Sequence, residues 1–285
     1  MKRFNLILFA MLSITVFIFS GCAEKIKNTA VSYDGVKIRF EVKGKGEPAI
    51  VFVHGFASEK ADWINQTDHF SKKFKVAALD LAGFGESGTD RGNWTMGACG
   101  EDVVSVIKYL DLKKVVLVGQ SMGTAVILEA AKRIPERIVG IVPVDMLQNV
   151  ELKRTPEEIE QFEERVWNNL NNPDAERLRA AFKREVKPEV IQTLIDYYNS
   201  SPKIGWRETG KSFFAWLSND LINVLLEVRA PIYCINSDRQ VTQIEIARKY
   251  VESFNVKVIE KTGHPVMLDA PGDFNSALEE IIMSF

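Results

Sequence analysis

The sequence predicts an α/β fold: a mostly parallel central sheet flanked by helices, with one inserted helical cap. Three observations carry this. Short apolar runs recur at Ala49–Val53, Val115–Val118 and Ile138–Val144, and segments with helical spacing lie between them. The alternation stops between about Asp145 and Arg229 and then resumes with Pro231–Asn236 and Val256–Glu260. Apolar runs without intervening polar positions suit strands buried on both faces, the condition of a parallel sheet. With 285 residues, 46% of them hydrophobic, the chain can bury a full core.

The first residues stand apart. Lys2 and Arg3 precede the apolar stretch Phe4–Phe19, which ends in Ser20-Gly21-Cys22. A cationic start, an apolar middle and small residues at the end describe a secretory signal over residues 1–21. The apolar run falls short of a comfortable bilayer span. Its end resembles the lipobox of bacterial lipoproteins, with Phe19 where leucine is usual. That resemblance implies export, lipid on Cys22 and attachment to the extracytoplasmic or periplasmic face of a bacterial membrane. Residues 22–30 then read as a polar tether.

Residues 31–144 form the first part of the expected core. From Val31, "VSYDGVKIRFEVKG" alternates about Asp34-Gly35, as an antiparallel hairpin does. Ala49–Val53 is a strand, and "FKVAALDLAGFGESG" a further strand running into a glycine-rich loop. Gly97–Leu110 places Val103, Val106, Ile107 and Leu110 on one helical face. Val115–Val118 is a strand, Met122–Ile134 a helix closed by Pro135, and Ile138–Val144 another strand. Residues 145–229 are the expected cap, rich in Glu, Arg, Asn and Trp, where Thr155-Pro156-Glu157-Glu158 marks a helix start. Its aromatic residues are expected to build the cap's own core, with one or two lining an apolar pocket. Residues 230–285 complete the core with two strands and a helix from Asp273.

A net charge of −2 and the absence of any Lys/Arg block argue against a nucleic-acid partner. Of the three cysteines, Cys99 and Cys234 fall in helix-like and strand-like runs and read as buried free thiols; neither has a zinc-ligand spacing.

The chemistry begins at Gly119-Gln120-Ser121-Met122-Gly123, a Gly-X-Ser-X-Gly turn between strand and helix. Such a turn strains its central residue, and side chains two positions away would collide, so glycines flank it. Ser121 then stands at a helix N-terminus, where a developing oxyanion is favoured. A serine needs a base. The chain has three histidines, His54, His69 and His264, and only His264 follows the serine, as the order nucleophile, acid, histidine requires. The acid must lie between them. Asp238, in "YCINSDRQVT" after the penultimate strand, is favoured, and Asp145, at the end of the strand before it, is the rival. Backbone N–H groups of Phe56 and Met122 are the candidate oxyanion donors, and His54 is expected to anchor the loop that carries Phe56.

These motifs resemble the α/β-hydrolase superfamily, in its helical-cap branch: His54-Gly55-Phe56, the loop Asp80 to Ser87, the elbow Gly119 to Gly123, and Gly263-His264 followed by Pro271. Four motifs in this order span nearly the whole chain from Val31 except the cap. Gln120 stands where histidine is frequent, Thr124 and Asn236 where glycines are common, and the acid loop is about one residue short. The resemblance implies a serine hydrolase that cleaves a small or medium carboxylic ester through an acyl-enzyme, with no cofactor and no metal, and the lipobox-like N-terminus implies that it is tethered to a membrane. The same three groups suit a thioester, lactone, amide or carbon–carbon bond, or cofactor-free perhydrolysis, and a non-catalytic binder is the remaining alternative. Gly83 to Gly88 also satisfies Gly-X-Gly-X-X-Gly, but "TDRGNW" follows rather than a helix, so no dinucleotide is expected there.

Overall fold

A computed structural model describes residues 28–285, so the signal-like segment and Cys22 lie outside the described residues. Eight strands, β1 (Thr29–Val31), β2 (Lys37–Lys43), β3 (Ala49–Val53), β4 (Val76–Leu79), β5 (Val115–Gln120), β6 (Ile138–Val144), β7 (Tyr233–Ser237) and β8 (Asn255–Ile259), form one sheet in the order β1-β2-β4-β3-β5-β6-β7-β8. The first hairpin and its pairing with β4 are antiparallel; every later pair is parallel. The hairpin turns at Asp34-Gly35, as the alternation predicts, with Gly35 at φ 89°.

Eleven α-helices accompany the sheet among the described residues: α1 (Ile64–Phe70), α2 (Met96–Tyr109), α3 (Met122–Arg133), α4 (Pro156–Asn171), α5 (Ala175–Arg179), α6 (Pro188–Ser200), α7 (Lys203–Asn219), α8 (Leu221–Glu227), α9 (Ile244–Arg248), α10 (Val266–Asp269) and α11 (Pro271–Ile282). The period of two along each strand divides the core. Val51, Val53, Leu79, Leu117 and Ile141 pack toward α2, α3 and α8, while Ile50, Phe52, Val116, Val118 and Val142 pack toward α1 and α11. Both faces are covered, which is why β3, β4 and β5 are buried at every position.

Five helices, α4 to α8, lie between β6 and β7. The helix start read at Thr155 is present as a reciprocal cap: Glu158 N–H donates to Thr155 Oγ1 at 3.2 Å, and Thr155 N–H to Glu158 Oε2 at 2.9 Å. Such a cap contributes about 1 kcal/mol. α7 is tied down onto the sheet layers: Trp216 Nε1 donates to Glu129 Oε1 of α3 at 2.8 Å, and Met96 N–H, opening α2, donates to Ser212 Oγ at 3.0 Å. Trp206 stacks on Phe84 with ring centroids 6.2 Å apart. The aromatic residues here therefore do more than build a core of their own. Cys99 and Cys234 are buried and unpaired with each other, and burial pushes both thiols well above the usual range.

The glycine-rich loop after β4 is a turn and no helix follows until Met96. Asp80 brackets it, accepting from Lys60 N–H at 2.8 Å, Lys60 Nζ at 2.6 Å and Glu86 N–H at 3.0 Å. Ser87 Oγ donates to the Asp80 carbonyl at 2.6 Å and accepts from Arg39 N–H at 2.9 Å. The Asp80-to-Ser87 motif thus ties the end of β4 to β2 and to the helical turn that follows β3.

Candidate active site

In sheet order β3 is followed by β5, and from this pair the chain runs outward in both directions, through β4 on one side and β6, β7 and β8 on the other. A crevice opens beyond the strand ends at such a switch point. The loops after β3 and β5 carry Phe56 and Ser121, so both candidate groups flank it.

Ser121 sits at φ 50°, ψ −115°, between β5 and α3. A non-glycine residue there costs about 1–3 kcal/mol, so the surroundings must enforce it. Ser121 N–H donates to the Val144 carbonyl at 2.9 Å, and its own carbonyl accepts from Thr124 N–H at 2.9 Å. The flanking glycines are required by contact. A Cβ on Gly119 would lie 2.4 Å from the Gly123 carbonyl oxygen, and one on Gly123 would lie 2.6 Å from those of Val53 and His54. Met122 opens α3, so its N–H is one of the four that have no acceptor within a helix.

His54 is fully buried and anchors the neighbouring loop, as the sequence predicts. Its Nε2 accepts from Leu81 N–H at 3.1 Å, which places the proton on Nδ1, 2.7 Å from the Gly55 carbonyl. Burial holds this imidazole below the usual histidine range, keeping it neutral. His69 lies on α1 with Glu279, away from the crevice.

His264 is the histidine that comes to the serine's side of the molecule. Its Nδ1 stands 2.6 Å from Asp145 Oδ2. This overturns the favoured pairing with Asp238. Asp238 accepts instead from Lys183 Nζ at 2.8 Å, and this interaction first, with backbone N–H groups at Lys261 and Thr262, pulls its carboxyl down to about 2. The reason lies in the ends of β6 and β7. Asp145 follows β6 at φ 49°, its N–H bound to the Ile235 carbonyl at 3.0 Å. Ser237, the last residue of β7, donates to Asp145 Oδ1 through its N–H at 3.0 Å and its hydroxyl at 2.7 Å. The end of β7 therefore serves the carboxylate of β6 and supplies none itself. Burial would raise the Asp145 carboxyl, but the hydrogen bonds from His264 and Ser237 and the charge of the imidazole outweigh it and hold the group below its ordinary value.

Asp269, which the motifs did not single out, fixes the histidine loop. Its carboxylate accepts from Gly263 N–H at 2.6 Å and from Lys183 and Arg184 N–H at 2.9 Å each. One buried group thus ties the turn before His264 to the segment between α5 and α6. The approach is close: a Cβ on Gly263 would lie 1.8 Å from the Ala181 carbonyl oxygen. The only sequence signal was a carboxylate five residues after the histidine, and nothing in the sequence brings residues 183 and 184 to it.

Ser121 and His264 open onto one cavity of about 290 Å³. Its walls come from Phe56 and Ala57 after β3, from Leu178, Phe182 and Phe213 above, and from Met267 below. Tyr198 and Phe214 also face it, so more of the aromatic residues of α6 and α7 line the pocket than expected. A narrower hollow of about 140 Å³ between α4 and α7 shares Phe56, Val166 and Phe214 with it.

Comparison with known proteins bears on the same residues. A family model described as "Alpha/beta hydrolase family" matches residues 50–277. A dihydrolipoyllysine-residue acetyltransferase component of an acetoin-cleaving system from Pseudomonas putida is 34% identical over 129 residues, 44% of this chain and 35% of that protein. The chain thus matches only about a third of the length of this relative. Among solved structures, a thermophilic esterase from Thermogutta terrifontis superimposes with a TM-score of 0.75 at 23% identity, covering 90% of this chain and 98% of that one. An esterase from Exiguobacterium antarcticum gives 0.77 at 18% identity, with 90% and 100% covered. At these identities the structural likeness speaks for the fold, and the family match speaks for the lineage: the chain belongs to the alpha/beta hydrolase family.

Proposed function

We propose that the protein is a serine hydrolase that cleaves a small or medium carboxylic ester through an acyl-enzyme. One observation carries this reading: the His264 imidazole, bonded at 2.6 Å to a buried carboxylate, opens with a strained serine onto a single, largely apolar cavity. Ser121 Oγ attacks the acyl carbonyl as His264 Nε2 takes its proton. Asp145, accepting at Nδ1, keeps the ring in the tautomer whose Nε2 is free and stabilises the imidazolium that forms. The N–H groups of Met122 and Phe56 receive the oxyanion. The tetrahedral intermediate collapses, the alcohol leaves with the proton from His264, and water repeats the sequence to release the acid.

Residues 145–229 serve as a cap in this reading, closing the acyl pocket with the side chains of α5 to α7. The esterase descriptions of the two superimposed structures favour an ester, and the apolar walls favour an acyl chain whose body is hydrocarbon. A fluorophosphonate probe should label the wild type and leave Ser121→Ala unlabelled; a folded wild type that stays unlabelled ends the serine-hydrolase reading. Export and lipid attachment at Cys22 belong to the same proposal, on the strength of the N-terminal motif. Metabolic labelling with a fatty-acid analogue, lost in Cys22→Ala, tests them.

A further inference from the structure

The cavity contains one carboxyl group that the proposed reaction does not use. Asp62 lies in the short helical turn Lys60–Trp63 just before α1 and lines the same pocket as Ser121 and His264. Its place is fixed from behind. Trp63 is fully buried against Phe52, with centroids 4.9 Å apart, and Phe274, at 6.0 Å. The pocket's other ionisable side chains are Tyr198 and His264, and His264 is committed to Asp145.

The Asp62 carboxylate has a single hydrogen-bond partner among the described residues, the Ser58 hydroxyl, which donates to Oδ2. Lys60 is engaged elsewhere, with its Nζ on Asp80 at 2.6 Å and on Glu86 at 3.0 Å. The groups that act on Asp62 or are acted on by it are Asp80, Glu59 and Tyr198, none of them a cation. A carboxylate drawn partly out of water without a cationic partner carries a cost, and a substrate group that donates to it recovers part of that loss.

We infer that Asp62 selects the substrate: the pocket takes an ester that bears a protonated amine or another hydrogen-bond donor on its acyl chain, and it rejects one that bears a second carboxylate. The inference rests on the reading of Ser121 and His264 as the hydrolytic pair, because it assigns the group that orients the substrate beside them. Asp62 is a specificity residue and takes no part in proton transfer. Burial first, and then the charge of Asp80, pushes its carboxyl up to about 6 against the bond from Ser58, so at pH 8 it is present as the anion that an ammonium group would seek. Glu59, pushed up to about 7 by burial and by Asp80 and Asp62, adds negative potential on the same side.

The test uses the full-length protein and four methyl esters of six-carbon acids that end in methyl, hydroxyl, ammonium or carboxylate, followed by pH-stat at pH 8. The ammonium ester is expected to exceed the methyl-ended one by about tenfold in kcat/KM, the carboxylate ester to fall below it by about tenfold, and the hydroxyl ester to lie between. Asp62→Asn should bring the ammonium and methyl esters to within about threefold of each other, with the change carried by KM rather than by kcat. A wild type indifferent to the terminal group overturns the inference, as does an Asp62→Asn variant that keeps the full ordering. Calorimetric binding of hexylammonium, hexanol and hexanoate to Ser121→Ala separates this from the hydrolytic reading. The same ordering of affinities without turnover supports Asp62 as the recognition group even if the hydrolase reading falls, and equal affinities sink it whatever the esterase assays give.

Discussion

Replacing Asp145 with asparagine exchanges one carboxylate oxygen for an NH₂ at the base of the site and tests the whole arrangement. The wild-type carboxylate accepts from His264 Nδ1 at 2.6 Å, from Ser237 N–H at 3.0 Å and from the Ser237 hydroxyl at 2.7 Å. All three contacts approach an acceptor. An asparagine offers one acceptor oxygen and turns an NH₂ toward another donor, so either the Ser237 pair or His264 meets a donor. If the amide nitrogen faces His264, the ring must move its proton to Nε2, the atom that has to accept from Ser121. The expected loss in kcat is about 10⁴-fold, roughly 5 kcal/mol of transition-state stabilisation. Asp238→Asn, by contrast, weakens a surface pairing with Lys183 at 2.8 Å and the bonds from backbone N–H groups at Lys261 and Thr262, none of them a contact of the Asp145–His264 pair, and should change kcat by less than about threefold. Ester turnover by both variants, with circular dichroism to confirm folding, decides the matter. A folded Asp238→Asn as impaired as Asp145→Asn, or an Asp145→Asn that keeps a tenth of wild-type activity, would refute the assignment of the acid to β6.

Other consequences can be read in the same way. Gly123→Ala drives a Cβ to 2.6 Å from two backbone oxygens, and should cost about 1–3 kcal/mol in urea titration and abolish ester turnover by displacing the elbow. Asp269→Ala leaves the N–H groups of Gly263, Lys183 and Arg184 without their acceptor; at about 1–3 kcal/mol for each one left buried, a large fall in thermal stability and a loss of kcat should appear together. Asp62 and Asp145 should act oppositely on stability against pH. The folded-state acidity of Asp145 is strengthened, so its contribution is present above the ordinary carboxylate range and lost as pH falls through its folded value. Asp62, pushed up to about 6, loses stability as pH rises from the ordinary carboxylate range through 6, so Asp62→Asn should gain Tm over the wild type at pH 8 and no advantage at pH 4. Each kcal/mol of that gain should appear as about 2–4 °C.

Much of the fold was legible because it depends on local pattern. β6 spans Ile138–Val144, as its apolar run predicts, and α3 opens at Met122, where the glycine-flanked turn puts it. Thr155 and Glu158 form the cap that their spacing announces. The strained turn at Ser121 and the place of His264 on the same cavity were legible too, the first because such a turn imprints glycines on the sequence, the second because few histidines compete as candidates. Asp238 was misread because position in the chain order was taken as a guide to position in space. Whether β6 or β7 presents its terminal carboxylate to the ring depends on how two strand ends are staggered, and on Ser237 donating across to Asp145. Asp62 and Asp269 left no motif at all: each gains meaning from partners that the chain brings near only by folding.

The sequence by itself determined the layered α/β architecture, the strained turn that carries Ser121, the choice of His264 as its candidate partner and the absence of a helix behind the glycine loop, since apolar period, turn strain and residue order are properties of short or ordered stretches. Tertiary structure alone decided which carboxylate holds His264, what lines the acyl cavity and how the segment between α5 and α6 is fastened to the histidine loop. Those are matters of hydrogen bonds a few ångströms long between residues far apart in the chain, such as Asp145 and His264 or Asp269 and Lys183. Linear spacing carries no record of such contacts, because they form only after the hydrophobic core has fixed where each strand ends.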